Sequence, residues 1–258
     1  MLTAQRRALI LESLASGGRT VVQLAGELLV SESTIRRDLD ALALDGKLER
    51  KYGGAILTSG SRATITDSGR EEGSLAQERD RDYDLRVRVA EAAASLVEDG
   101  DIIVLDIGLT TPLVARALHG RRITIITANL EVLDEVRADD AIDVVLLGGA
   151  LRRNYQTLVG SLTEQAVAQL NADIMFLSCT GVRDEHVLDN MAVEAPIKQA
   201  LIGASARTVL LAHERKFPGT GAMRICTLED VDTLITTEGN TSEELLRRQE
   251  SGRKVIVA

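Results

Sequence analysis

The chain has almost no aromatic residues: two Phe, three Tyr and no Trp, 2% of 258 residues. It therefore has no set of ring platforms on which sugars or unpaired bases could stack, as several single-strand readers require. Cysteine is scarce as well. Cys179 and Cys226 stand 47 positions apart in apolar segments, with no CxxC spacing and no ligand histidine nearby, and are read as buried cytosolic thiols. No metal or cofactor motif is read. No apolar run approaches the ~18 residues of a membrane-spanning helix, and the opening MLTAQRRALI has arginines where a signal peptide needs its apolar core. Neither export nor a membrane partner is expected, and the location expected is cytoplasmic.

What is present is ordinary globular material, 45% hydrophobic and 27% charged, enough for one large domain or two modest ones. The net charge of −9 is unevenly spread: residues 1–57 carry 8 basic and 7 acidic residues, the rest 22 and 32. The acidity belongs to the second part, and the first has no basic patch, so any case for DNA rests on pattern. Residues 59–84 hold only Ile65 and Leu75 as large aliphatics amid Ser, Gly and mixed charge, and read as a linker. The division expected is 1–57, a linker at 58–77, and 78–258.

In the first part, Thr20 to Gln23 reads as a capping box opening a helix at about residue 21, with Val21, Leu24, Ala25 and Leu28 on one stripe. Ser31 can cap a further helix in which Ile35, Leu39 and Leu42 share a face, while Ser33, Arg36, Arg37 and Asp40 lie opposite. Two short helices across a tight turn fit a helix-turn-helix; the alternative is a solvated helix with Arg36 paired to Asp40. GKLERKYGGAIL, 46–57, then reads as two strands turning at Gly53 and Gly54, a wing with Arg50 and Lys51 placed to meet phosphates.

After the linker, apolar runs at 102–105, 123–127, 144–147, 174–177, 209–212, 234–236 and 255–257 alternate with amphipathic segments of helical period. This is the pattern of βαβ units on a mostly parallel sheet covered on both faces. Four segments could hold a small anion: LDIGLTTP at 105–112, LLGGAL at 146–151, SCTGV at 178–182 and VEAPIK at 193–198. Each of the first two taken alone is most simply a turn, and Glu194 with Lys198 is most simply a surface ion pair at i, i+4. Their convergence beyond strand ends favours a ligand site.

Residues 4–56, above all VSESTIRRDL and the GGA of the wing, resemble the winged helix-turn-helix of DeoR-type transcriptional regulators. Residues 78–236 resemble that family's sensor domain, related in fold to ribose-phosphate isomerases and CoA transferases, through ER at 78–79, DxGxTT at 106–111, LGG at 147–149, VG at 159–160, TGV at 180–182, EAxxK at 194–198, KF at 216–217 and DVDTLIT at 230–236. The resemblance implies a repressor of a carbohydrate operon that binds double-stranded operator DNA as a homodimer or homotetramer and responds to a phosphorylated sugar. Ser33, Thr34, Arg36 and Arg37 would lie at the DNA, with the wing residues Arg50 and Lys51. Gly108, Thr110 and Thr111 would hold the phosphate, and Asp106, Gly149, Gly181, Glu194, Lys198 and Lys216 would lie near the carbon chain.

Three positions depart from the family pattern: His213 replaces the usual Asp before KF, Ala128 replaces the Asn of a TN pair with Asn129 one place along, and Leu109 replaces a Thr. Two other functions are compatible with this pattern. One is a sugar-phosphate isomerase in which Glu194 or Asp106 removes a proton beside a carbonyl. The other is a constitutive DNA binder whose effector site has been lost.

Overall fold

The computed structural model describes residues 6–7, 9–10, 13–14, 19–44, 48–51, 54–57, 82–153 and 155–258, the side chains of 41, 43–44 and 48–57 excepted. They fall in two compact units, Met1–Thr64 and Ile65–Ala258. The expected linker at 58–77 and the ER pair at 78–79 lie outside the described residues, as do Gly46 and Gly53.

In the first unit residues 6–7, 9–10 and 13–14 are helical, and helices α1 (Val21–Leu28) and α2 (Glu32–Leu44) follow. The capping box forms as expected: the Gln23 amide donates to Thr20 Oγ1 at 3.2 Å, and the Thr20 amide to Gln23 Oε1 at 2.9 Å. α1 stops at Leu29, which turns left-handed, and the Thr34 amide then donates to the Ser31 hydroxyl at 3.3 Å. Ile10, Leu14, Val21, Leu24, Ile35, Leu39 and Leu42 form one buried core. Each large aliphatic in it contributes ~1.5 to 3 kcal/mol by leaving water. Strands β1 (Arg19–Thr20), β2 (Leu48–Lys51) and β3 (Gly54–Leu57) make an antiparallel sheet in the order β1-β3-β2. The β2–β3 wing was legible in the sequence; β1 was not, because two residues show no periodicity.

The second unit is built on β4 (Ile102–Leu105), β5 (Ile123–Thr127), β6 (Ile142–Leu146), β9 (Ala172–Ser178), β12 (Ser205–Leu211), β14 (Thr233–Thr236) and β15 (Lys254–Val257). These are the seven expected runs, with some ends shifted. They form one sheet in the order β15-β14-β12-β9-β4-β5-β6, with every pair parallel. Alternate residues serve opposite faces. Ile103, Leu105, Ile125, Phe176 and Leu211 pack with α3 (Tyr83–Ala94), α4 (Thr111–Ala117) and α5 (Leu130–Val136), through Val89, Ala93, Val114 and Val132. Val104, Ile126, Met175, Leu177 and Leu210 join the core that contains Val167, Ile197, Leu201 and Leu245, from α6 (Ser161–Val167), α7 (Ala195–Gly203) and α8 (Glu243–Glu250).

Two small antiparallel sheets, not foreseen, flank this core. β7 (Ala150–Arg152) pairs with β8 (Thr157–Val159), and β10 (Gly181–Arg183), β11 (His186–Asp189) and β13 (Met223–Thr227) form the other in that order. In the large sheet the chain runs outward from β4 through β5 to β6, then returns to place β9 on the other side of β4. That reversal makes the carboxyl ends of β4 and β9 the natural place for a ligand. Among the described residues no helix is long and apolar enough to cross a membrane.

Candidate functional site

On α2 of the first unit, Ser33, Arg36 and Arg37 are exposed and Thr34 is half-buried. Arg36 pairs with Glu32 at 2.8 Å, one turn back, whereas i, i+4 spacing alone also allows Asp40. The inward face of α2 carries a charge that sequence reading missed. Asp38, 3% exposed, receives Arg6 Nε at 2.5 Å and Arg7 Nε at 3.1 Å. Burial pushes its pKa up, but the two arginines outweigh burial and leave it lowered, so the amino-terminal helical residues are tied to α2 by charge as well as by Ile10 and Leu14. Arg50 and Lys51 lie on β2, in register with Ala55 and Gly54; their side chains are outside the described set.

In the second unit a cavity of about 340 Å³ opens at the reversal point, at the lower end of the ~300 to 1,000 Å³ usual for small-molecule sites. Gly108, Leu109 and Thr110 after β4, Asn129 after β5, Ser178 at the end of β9 with Cys179 and Thr180 beyond it, and His213, Arg215 and Lys216 after β12 all line it. The loop after β4 is held from within. The Thr111 hydroxyl donates to Asp106 O at 2.6 Å, and Asn129 Nδ2 donates to Gly108 O at 3.1 Å. Gly108 is required there, since a Cβ would fall 2.2 Å from Ser178 Oγ. Thr110 faces the cavity with no capping bond from its side chain, whereas Thr111 is fully buried and does not line it.

Beneath the floor lies a buried charge cluster. The Lys198 ammonium, 1% exposed, donates to Asp106 Oδ2 at 2.8 Å, to Ser178 O at 2.9 Å and to Asp189 Oδ2 at 3.0 Å. The Ser178 amide and hydroxyl also donate to Asp106 Oδ2, at 3.0 and 2.9 Å. Burial opposes charge on Lys198, but the carboxylates of Asp106, Asp189 and Glu194 outweigh it and hold the ammonium protonated. Glu194 sits at the start of α7 and pairs with Arg152 of β7. Arg152 lies over the Tyr155 ring at 4.3 Å. Burial pushes the Glu194 carboxyl up to about 7, against the pull of Lys198 and Arg152. Glu194 and Lys198, for which a surface ion pair was the simplest reading, are both buried and take different partners.

The remaining expected residues divide by role. Glu194 and Lys216 line the cavity; Asp106 and Lys198 support its floor. Gly149 and Gly181 are packing contacts away from the cavity lining: a Cβ would lie 2.2 Å from Thr163 Oγ1 at the first and 2.4 Å from Gly219 Cα at the second. Ala128 is buried, and Cys179, whose thiol burial pushes up to about 11, lines the cavity. Cys226, expected buried, is only partly so, and burial still carries its thiol up to about 12. Arg152 and Asp189 were missed, because no motif or spacing in ALRRNY or HVLDN marks either one as a buried charge. Thr157 Oγ1 and His213 Nδ1 are buried cavity-wall atoms with no hydrogen-bond partner among the described residues.

The family model described as a DeoR-like helix-turn-helix domain matches residues 6–60, and that described as the DeoR C terminal sensor domain matches residues 81–238. The chain belongs to the DeoR family. Similar relatives include the uncharacterized HTH-type transcriptional regulator YulB of Bacillus subtilis, 32% identical over 93% of this chain and 90% of the relative. Another is the glycerol-3-phosphate regulon repressor of Haemophilus influenzae, 32% identical over 86% of this chain and 84% of the relative. Among solved structures, ribose 5-phosphate isomerase A of Methanocaldococcus jannaschii aligns with a TM-score of 0.39 and 20% identity, over 52% of this chain and 54% of that one. In this DeoR-family member, the DNA-reading pattern and the cavity occupy separate units.

Proposed function

We propose that this DeoR-family protein represses a carbohydrate operon and that a phosphorylated sugar or polyol in the second unit's cavity sets its affinity for double-stranded operator DNA. The observation that carries the reading is the cavity itself. It opens where the sheet reverses, Thr110 and Lys216 line it, and Thr157 Oγ1 and His213 Nδ1 stand in its wall with no hydrogen-bond partner among the described residues. The relative named for the glycerol-3-phosphate regulon supports the ligand class. Ser33, Thr34, Arg36 and Arg37 read the major groove, and Arg50 and Lys51 neutralise phosphates. Gly108 and Thr110 face the phosphate, Thr111 holds their loop from beneath through the Asp106 carbonyl, and Asp106, Glu194 and Lys198 fix the shape beside the carbon chain. A homodimer or homotetramer places paired recognition helices one DNA turn apart, ~34 Å.

The protein binds its ligand without turning it over. Asp106 is fully buried and does not line the cavity, its Oδ2 held by Ser178 and Lys198, and the Glu194 carboxylate that does line it is engaged by Arg152. The test is a thermal-stability titration with sugar phosphates and their unphosphorylated parents, since a native-state ligand stabilises by RT ln(1 + [L]/Kd). It is run beside binding to a DNA fragment from the promoter region next to the protein's gene. The reading requires a phosphorylated compound to raise Tm and to change DNA affinity by the 5- to 150-fold typical of allosteric coupling, roughly 1 to 3 kcal/mol. Stabilisation with unaltered DNA binding, or turnover of ribose 5-phosphate, would overturn it.

A further inference from the structure

The cations that line the cavity stand together on one wall. Arg86 comes from α3, and Arg215 and Lys216 follow β12; all three line the cavity, and Asp82 is the one carboxylate among them, paired with Arg215. The other lining carboxylates come from elsewhere: Glu131 from α5, Asp189 from β11 and Glu194 from the start of α7. His213 stands in the same wall, 4% exposed, with Nδ1 unpartnered among the described residues. Among those residues the Lys216 ammonium has no ion-pair partner within 4.0 Å either. Asp82 and Glu214 both lie by Arg215, the second at 4.0 Å, so among the described residues the wall's open positions are the Lys216 ammonium and the unsatisfied imidazole nitrogen beside it, and these, with Arg86 and Arg215 in the same wall, make it an anion-holding surface.

This wall is not the phosphate loop. Gly108, Leu109 and Thr110 follow β4, whereas His213 and Lys216 follow β12, and β9 lies between the two strands. Two strand spacings separate them, roughly 10 Å, about the span of a five- or six-carbon chain with a charged group at each end. The floor between is the end of β9, where Ser178 and, two residues on, Thr180 line the cavity with their hydroxyls already donated to the protein.

From this arrangement we infer that the cavity holds two anionic groups on one ligand: a phosphate at the loop after β4, and a second anion, carboxylate or phosphate, at the wall of Arg86, His213 and Lys216. The ligand class is a phosphorylated sugar acid or a sugar bisphosphate. This inference rests on the cavity being the effector site. Burial and the neighbouring cations keep the His213 ring neutral, with a pKa near 4, so the wall's positive charge comes from the arginines and Lys216. An anion seated there relieves their mutual repulsion and gives the imidazole a charged partner.

The experiment measures affinity of the full chain for ribose 5-phosphate, 6-phosphogluconate and fructose 1,6-bisphosphate, by calorimetry at pH 7.5. A two-ended probe is expected to bind at least tenfold more tightly than ribose 5-phosphate. Lys216→Met should cut its affinity at least tenfold more than it cuts that of ribose 5-phosphate. Equal affinity for all three probes, or equal losses in the variant, would overturn the second anion site while leaving the effector cavity standing. If no phosphorylated probe binds, both readings fall together. Circular dichroism and the unfolding midpoint of Lys216→Met show whether a lost response reflects lost structure, and in that case His213→Asn replaces it in the same comparison.

Discussion

The Lys198 ammonium lies 2.8 Å from the Asp106 carboxylate, although 92 positions separate them in the chain. Both are almost fully buried, and the same ammonium reaches Asp189 at 3.0 Å. The pair ties the start of α7 to the end of β4 and so fixes the floor of the cavity. Its contribution shows only when one partner is removed, because a buried charge left alone cannot be resolvated.

Lys198→Met should therefore cost ~3 to 5 kcal/mol of stability, measured by urea unfolding, since it strands two carboxylates in a dry site. Adding Asp106→Asn to that variant should recover part of the loss. A single variant within ~0.5 kcal/mol of the parent would show that water or rearrangement satisfies Asp106 and Asp189 without the lysine.

Acid should destabilise the second unit through His213. Burial, then Lys216, then Arg86 and Arg215 hold its pKa down to about 4 from the ordinary 6.5, with Asp82 opposing them. Between those values the unfolded chain takes up a proton that the folded chain refuses. The contribution is thus complete above pH 6.5 and is lost as pH falls toward 4, by up to about 3 kcal/mol. Unfolding midpoints of the parent and His213→Asn at pH 7 and pH 5 test this; identical pH dependence in the two proteins counts against it.

Two glycines that both follow strands should behave differently. At Gly181 an added Cβ meets backbone at 2.4 Å, while at Gly148 none of the described residues lies within 4 Å of it. Gly181→Ala should lose ~1 to 3 kcal/mol and Gly148→Ala less than about 0.5 kcal/mol. The same denaturant series reads both, and comparable losses would mean that the Gly181–Gly219 contact yields cheaply.

On the DNA side, Arg37 is exposed on α2 and Lys51 lies on the wing strand. Arg37→Ala should weaken operator binding by ~1 to 3 kcal/mol and relax the preference for one base position; Lys51→Ala should weaken all sequences about equally and reduce the salt slope by ~1. Competition binding against single-base operator variants separates the two. Uniform loss across sequences for Arg37→Ala would make it a phosphate contact.

Thr110→Val keeps the shape of the loop after β4 while removing a hydroxyl from the cavity wall. It should reduce affinity for phosphorylated ligands roughly five- to tenfold, the worth of ~1 to 1.5 kcal/mol for one hydrogen bond, with little change in stability. Calorimetry against the parent decides, and unchanged affinity would remove Thr110 from the site.

The sequence by itself determined the main elements, the helices α1 and α2, the wing and the large parallel sheet, but not β1 or the two small antiparallel sheets. Thr20 with Gln23 marked the start of α1, the spacing of Ile35, Leu39 and Leu42 marked the buried face of α2, and seven apolar runs marked the seven parallel strands. These signals are local: caps act across three residues and periodicity across a few turns. The family also followed from ordered short motifs. Tertiary structure alone decided partnership. Arg152 with Glu194 joins a small hairpin to α7, Asp38 gathers two arginines from the chain's start, and Asp189 shares Lys198 with Asp106. It also distinguished Thr110, which faces the cavity, from Thr111, which is spent on the backbone of Asp106. A charge pairs with whatever the fold brings within a few ångströms, and that distance bears no fixed relation to separation along the chain.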